Sequence, residues 1–420
     1  MHNLETYTMP QYNKALPYIA ALLSVITVLS CNSKVSLPFP DKGLNYRQPV
    51  TMPLEFSAEK NLRFDTARKE GVQPVVKKLD FSSLPSFPYD TTGFQPFAEA
   101  PVTSPWSFDT LTDSLFNPGA MPSRSLASKT FLLHLAAPFK VGLPINQKDN
   151  PVAISDLGGK VGLPVNVVIC LFKDSHGILW IGSTDGLFRY DGEHAQKIID
   201  PKDDNAAAGI VEDNFGRIWF IDQSHLGVID LHKSTVSYSS ICRVPVNNVC
   251  KMIKDADGRI WISKTVDRTV QIIDPANMSY QTFDRSAGLP GNRGANDITE
   301  DSEGNMWIST STGGAGIINW KKRSIKRLGK ANGLISDSLR AITTDKNGKV
   351  WIAVVGGGLD AVDKKAGTIT HYDKKQGLTV SLTMHITSDS KGLIWMGKNS
   401  GLDIMDPIDG RERKINNTNG

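Results

Sequence analysis

Cysteine is scarce in this chain of 420 residues: Cys31, Cys170, Cys242 and Cys250 are the only four, and no two form a Cys-x-x-Cys pair. That count and spacing exclude a disulfide framework and a cysteine-rich zinc site. Cys242 and Cys250 could pair across adjacent strands, although two separate buried thiols fit the pattern better. Neither sign of charge is in excess, since 47 Lys and Arg stand against 43 Asp and Glu. No basic block interleaved with aromatics is present to form a nucleic-acid groove, so no DNA or RNA partner is expected. The eight histidines (His2, His134, His176, His194, His225, His232, His371 and His385) show no His-x-His or His-Glu-x-x-His spacing. A Gly-x-Ser-x-Gly elbow and a Gly-rich phosphate loop are also missing. Catalytic residues, metal and cofactor are accordingly expected to be none.

Long apolar runs are missing with one exception. Behind Lys14, residues Ala15 to Ser30 form an apolar stretch ending in Val28-Leu29-Ser30-Cys31. It has the length of a signal-peptide core and is short for a membrane span. The ending resembles the lipobox of bacterial lipoproteins. That resemblance implies removal of residues 1–30, lipidation of Cys31, and a location in the cell envelope, anchored to a membrane and facing the periplasm or the cell surface. An uncleaved anchor helix is the alternative, and the polar leader containing Glu5 makes Met9 a second possible start.

Residues 31–150 have a different texture, with 14 of the 23 prolines and little periodicity. Such a stretch cannot build much core of its own and is expected to be an extended, low-complexity tether. Leu79-Asp80-Phe81-Ser82-Ser83-Leu84-Pro85 and Ser107-Phe108-Asp109-Thr110-Leu111 recur loosely within it.

Residues 151–420 carry a repeat. An Asp, two variable residues, a Gly, one variable residue, an apolar residue, a Trp and a second apolar residue return six times. The aspartates are Asp174, Asp213, Asp255, Asp301, Asp345 and Asp389; the tryptophans are Trp180, Trp219, Trp261, Trp307, Trp351 and Trp395, spaced by 39, 42, 46, 44 and 44 residues. Periods of about 40–50 residues with this texture point to propeller blades of four short strands. An apolar residue three positions before each Asp (Leu171, Ile210, Met252, Ile298, Ile342, Ile386) suits an inner strand. The Asp-x-x-Gly is then a tight turn, and the Trp lies on the second strand between blades. Third strands are expected near Gly186–Tyr190, Gly227–Ile229, Thr269–Ile273, Gly316–Asn319, Leu359–Val362 and Leu402–Met405, and outer strands in segments such as Tyr280–Phe283 and Ile369–Tyr372. The fold class is all-β.

Gly162-Leu163-Pro164, Gly288-Leu289-Pro290, Gly333-Leu334 and Gly377-Leu378 lead into blades. With the Asp-x-x-Gly-x-Ile-Trp-Ile phrase and a downstream Gly-Leu-x-x-Tyr-Asp, they resemble the two-component regulator propeller repeat, over residues 150–420. The resemblance implies a seven-bladed ring, and a sensing role beside a membrane helix and a kinase or other output domain. Six Trp repeats occur here, so an incomplete seven-bladed ring is expected, lacking the three inner strands of its last blade through truncation; a six-bladed ring is the alternative. Pro151 to Asp156 would supply that blade's outer strand, and Arg413 to Asn417 the outer strand of blade six.

The turn Asp255-Ala256-Asp257-Gly258 lacks the further oxygens of a calcium loop, and its recurrence with different middle residues marks it as structural. The basic cluster Lys321-Lys322-Arg323, Lys326 and Arg327 is expected on an outer edge, where charge discourages edge pairing. Blade geometry places the second-to-third and fourth-to-first connections on one rim. Candidate ligand-binding residues there are Ser183, Thr184, Asp185, Lys264, Asp267, Arg268, Asn292, Arg293, Ser311, Thr312, Ser338, Arg340, Lys398 and Asn399. The resemblance implies a non-enzymatic sensor for an unknown small molecule or glycan-derived ligand, with a histidine kinase or other membrane signalling protein as partner. A propeller enzyme similar to the streptogramin lyases and a surface interaction scaffold are the alternatives.

Overall fold

The Asp-x-x-Gly turn organises each blade. In all six copies the Asp carbonyl accepts from the Gly amide at 2.9–3.2 Å, and that Gly sits at positive φ, between 73° and 93°, where a Cβ would be strained. One carboxylate oxygen accepts from the amides two and four residues on, as Asp345 does from Asn347 at 2.9 Å and Lys349 at 3.0 Å. The other oxygen accepts from the indole of the repeat Trp, at 2.8 Å for Asp174–Trp180, 2.7 Å for Asp213–Trp219 and Asp255–Trp261, 2.9 Å for Asp301–Trp307 and Asp345–Trp351, and 3.0 Å for Asp389–Trp395. A single side chain thus shapes the turn and fixes the indole that fills the space against the next blade.

The computed structural model describes residues 94–114, 116–142, 145–146, 155–156, 159, 162–199, 206–222, 225–241, 251–264, 269–291, 294–378 and 382–415. Six antiparallel blades stand in chain order. Blade 1 comprises Val168–Lys173, Leu179–Ser183, Gly186–Tyr190 and His194–Ile199; blade 2, Ala207–Glu212, Ile218–Asp222, Leu226–Asp230 and Thr235–Ser239; blade 3, Met252–Lys254, Ile260–Ser263, Val270–Asp274 and Ser279–Phe283. Blade 4 comprises Ala295–Glu300, Met306–Thr310, Ala315–Asn319 and Ser324–Leu328; blade 5, Leu339–Thr344, Val350–Val354, Leu359–Asp363 and Thr368–Tyr372; blade 6, Thr383–Ser388, Ile394–Lys398, Gly401–Asp406 and Arg411–Ile415. The expected third and outer strands fall within a residue or two of these.

Each of the first five Trp packs into the following blade. Trp307 of blade 4 joins Leu339, Ile342, Val350 and Ile352 of blade 5, and Trp351 of blade 5 joins Ile386, Ile394 and Met396 of blade 6. Burying an indole removes enough apolar surface to favour the fold by about 4–6 kcal/mol as an upper figure.

The amino-terminal segment departs from its expected form. Residues 31–93 lie outside the described residues, but from Phe94 the chain is not a free tether. It runs around the outside of the propeller and adds a fifth antiparallel strand to every blade, in reverse order. Gln95–Pro96 pairs with blade 6, Val102–Pro105 with blade 5, Asp113–Ser114 with blade 4, Arg124–Ser125 with blade 3, Lys129–Leu132 with blade 2, and His134–Leu135 and Phe139–Lys140 with blade 1. Proline belongs on such an edge, where its missing N–H forfeits no ladder bond and blocks further pairing. The belt also fills the outer ends of the inter-blade cores. Phe97 packs between blades 5 and 6, Trp106 and Leu111 between 4 and 5, Met121 between 3 and 4, Leu126 between 2 and 3, and Leu133 and Leu135 between 1 and 2.

Two further expectations change. Ser155–Asp156 pairs with Ile145–Asn146 in a two-stranded ladder and supplies no outer strand to a last blade. The basic cluster does not form a bare edge, because Lys326 donates to the Leu111 carbonyl of the belt at 2.7 Å and Lys321 pairs with Asp257 at 3.1 Å. Blade 6 ends in the expected outer strand, Arg411–Ile415.

The seam between blades 6 and 1 lacks the shared core of the other neighbouring pairs: among the described residues no hydrophobic cluster spans it. Leu171 is 61% exposed, whereas its equivalents Ile210, Met252, Ile298, Ile342 and Ile386 are buried. Trp395, which faces the seam, is only partly buried, unlike the other five repeat tryptophans. Leu163 and Val141 cover Ile181 on the blade 1 side, and Phe94 packs near Trp395 on the blade 6 side.

The belt account has a direct check. Leu111→Ala, which empties a buried site, is expected to lower the unfolding free energy by about 2–4 kcal/mol, and Leu132→Ala, at a 68% exposed position, by less than about 0.5 kcal/mol. Urea unfolding reads both; a wild-type midpoint for Leu111→Ala would mean that the belt is detached in solution.

Candidate functional site

Both rims of the propeller carry contacts between blades. On the Asp-x-x-Gly rim, blades are stitched together: Glu212 of blade 2 accepts from the Ser175 amide and hydroxyl of blade 1, both at 2.7 Å, and Glu300 of blade 4 accepts from the Ala256 amide of blade 3. The opposite rim gathers the second-to-third and fourth-to-first connections, as expected. There the Asn166 amide and side chain donate to Asp185 at 2.8 and 3.1 Å, the Gly314 amide to the Asp337 carbonyl at 2.9 Å, and the Val355 amide to the Ser338 carbonyl at 2.9 Å.

Of the fourteen candidates on this rim, Asp267, Arg268, Asn292 and Arg293 lie outside the described residues. Several others are occupied structurally. Ser183 is buried and donates to the Gly186 carbonyl at 2.9 Å. Lys264 is buried with its amine 3.2 Å from the Ile241 carbonyl, and Lys398 is enclosed with Asp403 at 2.7 Å. Asp185 is held below the usual carboxylate range, first by the Asn166 amide. Thr184, Thr312 and Asn399 are exposed, and Ser311, Ser338 and Arg340 are half-buried. Cys31, Cys242 and Cys250 are also outside the described residues. Cys170 is a free thiol whose pKa burial pushes up to about 12, which removes it from thiolate chemistry at neutral pH.

Just inside this rim the inner strands bring together residues that the repeat pattern alone does not mark. Blades 4, 5 and 6 break register between Ala295 and Asp297, Leu339 and Ala341, and Thr383 and His385. A bulge of this kind re-aims a side chain. The skipped residues are Asn296, Arg340 and Met384, and they reach sideways around the ring: Asn296 donates to the Leu339 carbonyl at 2.6 Å, and the Arg340 guanidinium contacts the Met384 sulfur at 3.9 Å. One residue deeper, four before each turn Asp, lie Lys251, Asp297 and His385. The Lys251 amine sits 3.0 Å from Asp297 and 3.3 Å from the Ile342 carbonyl, so a lysine of blade 3 reaches blade 5. Asp297 also accepts from the Ile298 amide at 2.7 Å and the Ile342 amide at 2.9 Å, so that both of its oxygens are engaged. Desolvation pushes the His385 pKa down; Asp297 pulls the other way, and the cations Lys251 and Arg340 lower it further. Among the described residues, no group of three His, Cys, Asp or Glu converges as a metal site.

A His–Asp contact supports the same rim from outside. His371 Nδ1 lies 2.6 Å from Asp360, which is fully buried, and the other Asp360 oxygen accepts from the Ile335 amide at 2.9 Å in the lead-in to blade 5. The pair braces the outer and third strands against that lead-in.

A ring of four-stranded blades, each locked by an Asp–Trp contact, defines a β-propeller. The family model described as "Two component regulator propeller" matches residues 162–185 and 288–312, which run from the lead-in to the connection after the second strand in blades 1 and 4. Two segments of the chain therefore match the two-component regulator propeller repeat. No curated protein matches the sequence. Among solved structures, the chain is similar to the extracellular domain of a hybrid two-component system from B. thetaiotaomicron, with 22% identity and a TM-score of 0.52 over 74% of this chain and 42% of that one. It thus spans less than half the length of that domain. A virginiamycin B lyase from Staphylococcus aureus is similar at 13% identity and TM-score 0.48, over 67% of this chain and 89% of that one. PorZ, a surface component of the type-IX secretion system of Porphyromonas gingivalis, is similar at 16% identity and TM-score 0.45, over 60% of this chain and 39% of that one.

The Asp360 carboxylate beside His371 raises the imidazole pKa above its ordinary value, against the opposing effect of desolvation. Stability from this pair is therefore fully present below the unfolded value of about 6.5 and is lost as pH rises through the folded one. NMR titration should place His371 above 6.5, and Asp360→Asn should bring it down; equal values in both proteins would refute the brace.

Proposed function

We propose that this propeller is the extracytoplasmic sensing module of a two-component type signalling system, and that it binds a ligand without transforming it. The carrying observation is the family of its repeats, matched in blades 1 and 4. The likeness in fold to the extracellular domain of a hybrid two-component system agrees with that reading. The rim of the second-to-third connections gives it a physical form: besides its own contacts between blades, it presents hydroxyls, amides and a guanidinium. In this reading Cys31 carries the lipid anchor, the ligand is a small molecule or glycan fragment, and a histidine kinase or other membrane protein receives the signal. Non-catalytic action fits the channel mouth, where the Lys251 amine is already engaged by Asp297 and the Ile342 carbonyl.

Thermal unfolding against a panel of polysaccharide breakdown products tests the reading. A cognate ligand at about a hundred times its Kd should raise the melting temperature by several degrees, corresponding to about 2.7 kcal/mol. Mass spectrometry should then recover the ligand unchanged. Turnover of the ligand would contradict a purely sensing role, and a panel without any stabilising member would count against ligand binding.

A further inference from the structure

We propose that the channel mouth binds the acid group of its ligand, a carboxylate or a sulfate or phosphate ester, with Arg340 as the principal contact. This deepens the sensing reading and rests on it. Three observations carry it. First, Arg340 is the skipped residue of a bulge, so its side chain is turned out of the ladder, and it is half-buried at the mouth. Second, among the described residues no carboxylate pairs with it; its contact is the Met384 sulfur, a weak acceptor that an oxyanion would readily displace. Third, the charge around it is one-sided. Beside His385, Lys251 and Arg340 stand with a single carboxylate, Asp297, whose two oxygens already accept from Lys251 and the amides of Ile298 and Ile342.

A planar guanidinium with free N–H groups matches a carboxylate, sulfate or phosphate in a two-point contact, which a neutral hydroxyl cannot reproduce. Within the half-enclosed mouth the contact is screened less than on an open surface. Ser311 and Asn296, hydrogen-bonded to each other at 3.0–3.1 Å, stand at the neighbouring blade edge and suit the polar remainder of a small ligand. His385 would feel a bound anion directly: a negative charge beside the ring favours its protonated form and moves its pKa up.

The test uses glucuronate, glucose 6-sulfate, glucose 6-phosphate and neutral glucose, titrated by calorimetry and followed at the His385 ring by NMR. At least one acidic sugar is expected to bind about tenfold tighter than glucose, with Arg340→Gln removing that preference, Arg340→Lys keeping part of it, and the His385 pKa rising on binding in the wild type. Which of the three acids binds best identifies the acid group. Glucose binding as tightly as the acids, acids bound equally well by Arg340→Gln, or no acid bound at all would each overturn the inference. The first two outcomes would leave the sensing reading standing, since a ligand would still bind, and the third leaves it to the wider panel. Unfolding curves for both Arg340 variants separate a lost contact from a lost fold.

Discussion

The contact between the turn aspartate and the indole of the repeat tryptophan is the constraint on which the propeller depends. A buried carboxylate is costly unless its acceptor capacity is used. Here the backbone amides of the turn and the indole N–H use it together. The same bond fixes the orientation of a large apolar plate, and the plate sets the spacing between one blade and the next. Local turn chemistry and ring-scale packing are therefore one interaction repeated. Blade 6 shows the dependence from the other side, because Asp389 still holds Trp395 at 3.0 Å but the indole faces the seam, where it is only partly buried.

Most of the ring was legible in the sequence for this reason. Asp, Gly and Trp have no substitutes in a turn that needs a side-chain acceptor, positive φ and an indole donor, so they stand out at a steady period. The belt was not legible, because residues 94–140 contribute only short edge strands of two to four residues, too brief for a period to develop. Their proline content was read as freedom from structure. The structure shows prolines at positions where an edge strand tolerates them, with Trp106 and Leu111 in one inter-blade groove and Met121 and Leu126 in the next two. An isolated buried aromatic or aliphatic every five to fifteen residues was the available signal, and it is weak without the blades to receive it.

The candidate site divides in the same way. The shared rim follows from blade topology, and the sequence places Arg340 on it. Whether a rim side chain is free or engaged depends on contacts between blades, and so the roles of Ser183, Lys264 and Lys398 emerge only in three dimensions. Lys251, Asp297 and His385 were missed because strand periodicity marks the apolar residues and says nothing of polar ones at their edge. Their common position four residues before each turn aspartate was the readable clue, since a charged or titratable group there must face the channel or a neighbouring blade.

The most direct test of the account is a double-mutant cycle on Asp345 and Trp351, using Asp345→Ala and Trp351→Phe, with Asp389 and Trp395 treated alike. The account predicts a coupling energy of about 1.5–3 kcal/mol for the first pair and a smaller one for the second, whose indole is partly exposed. Additivity within about 0.5 kcal/mol at Asp345 and Trp351 would contradict the claim that this contact holds the blades together.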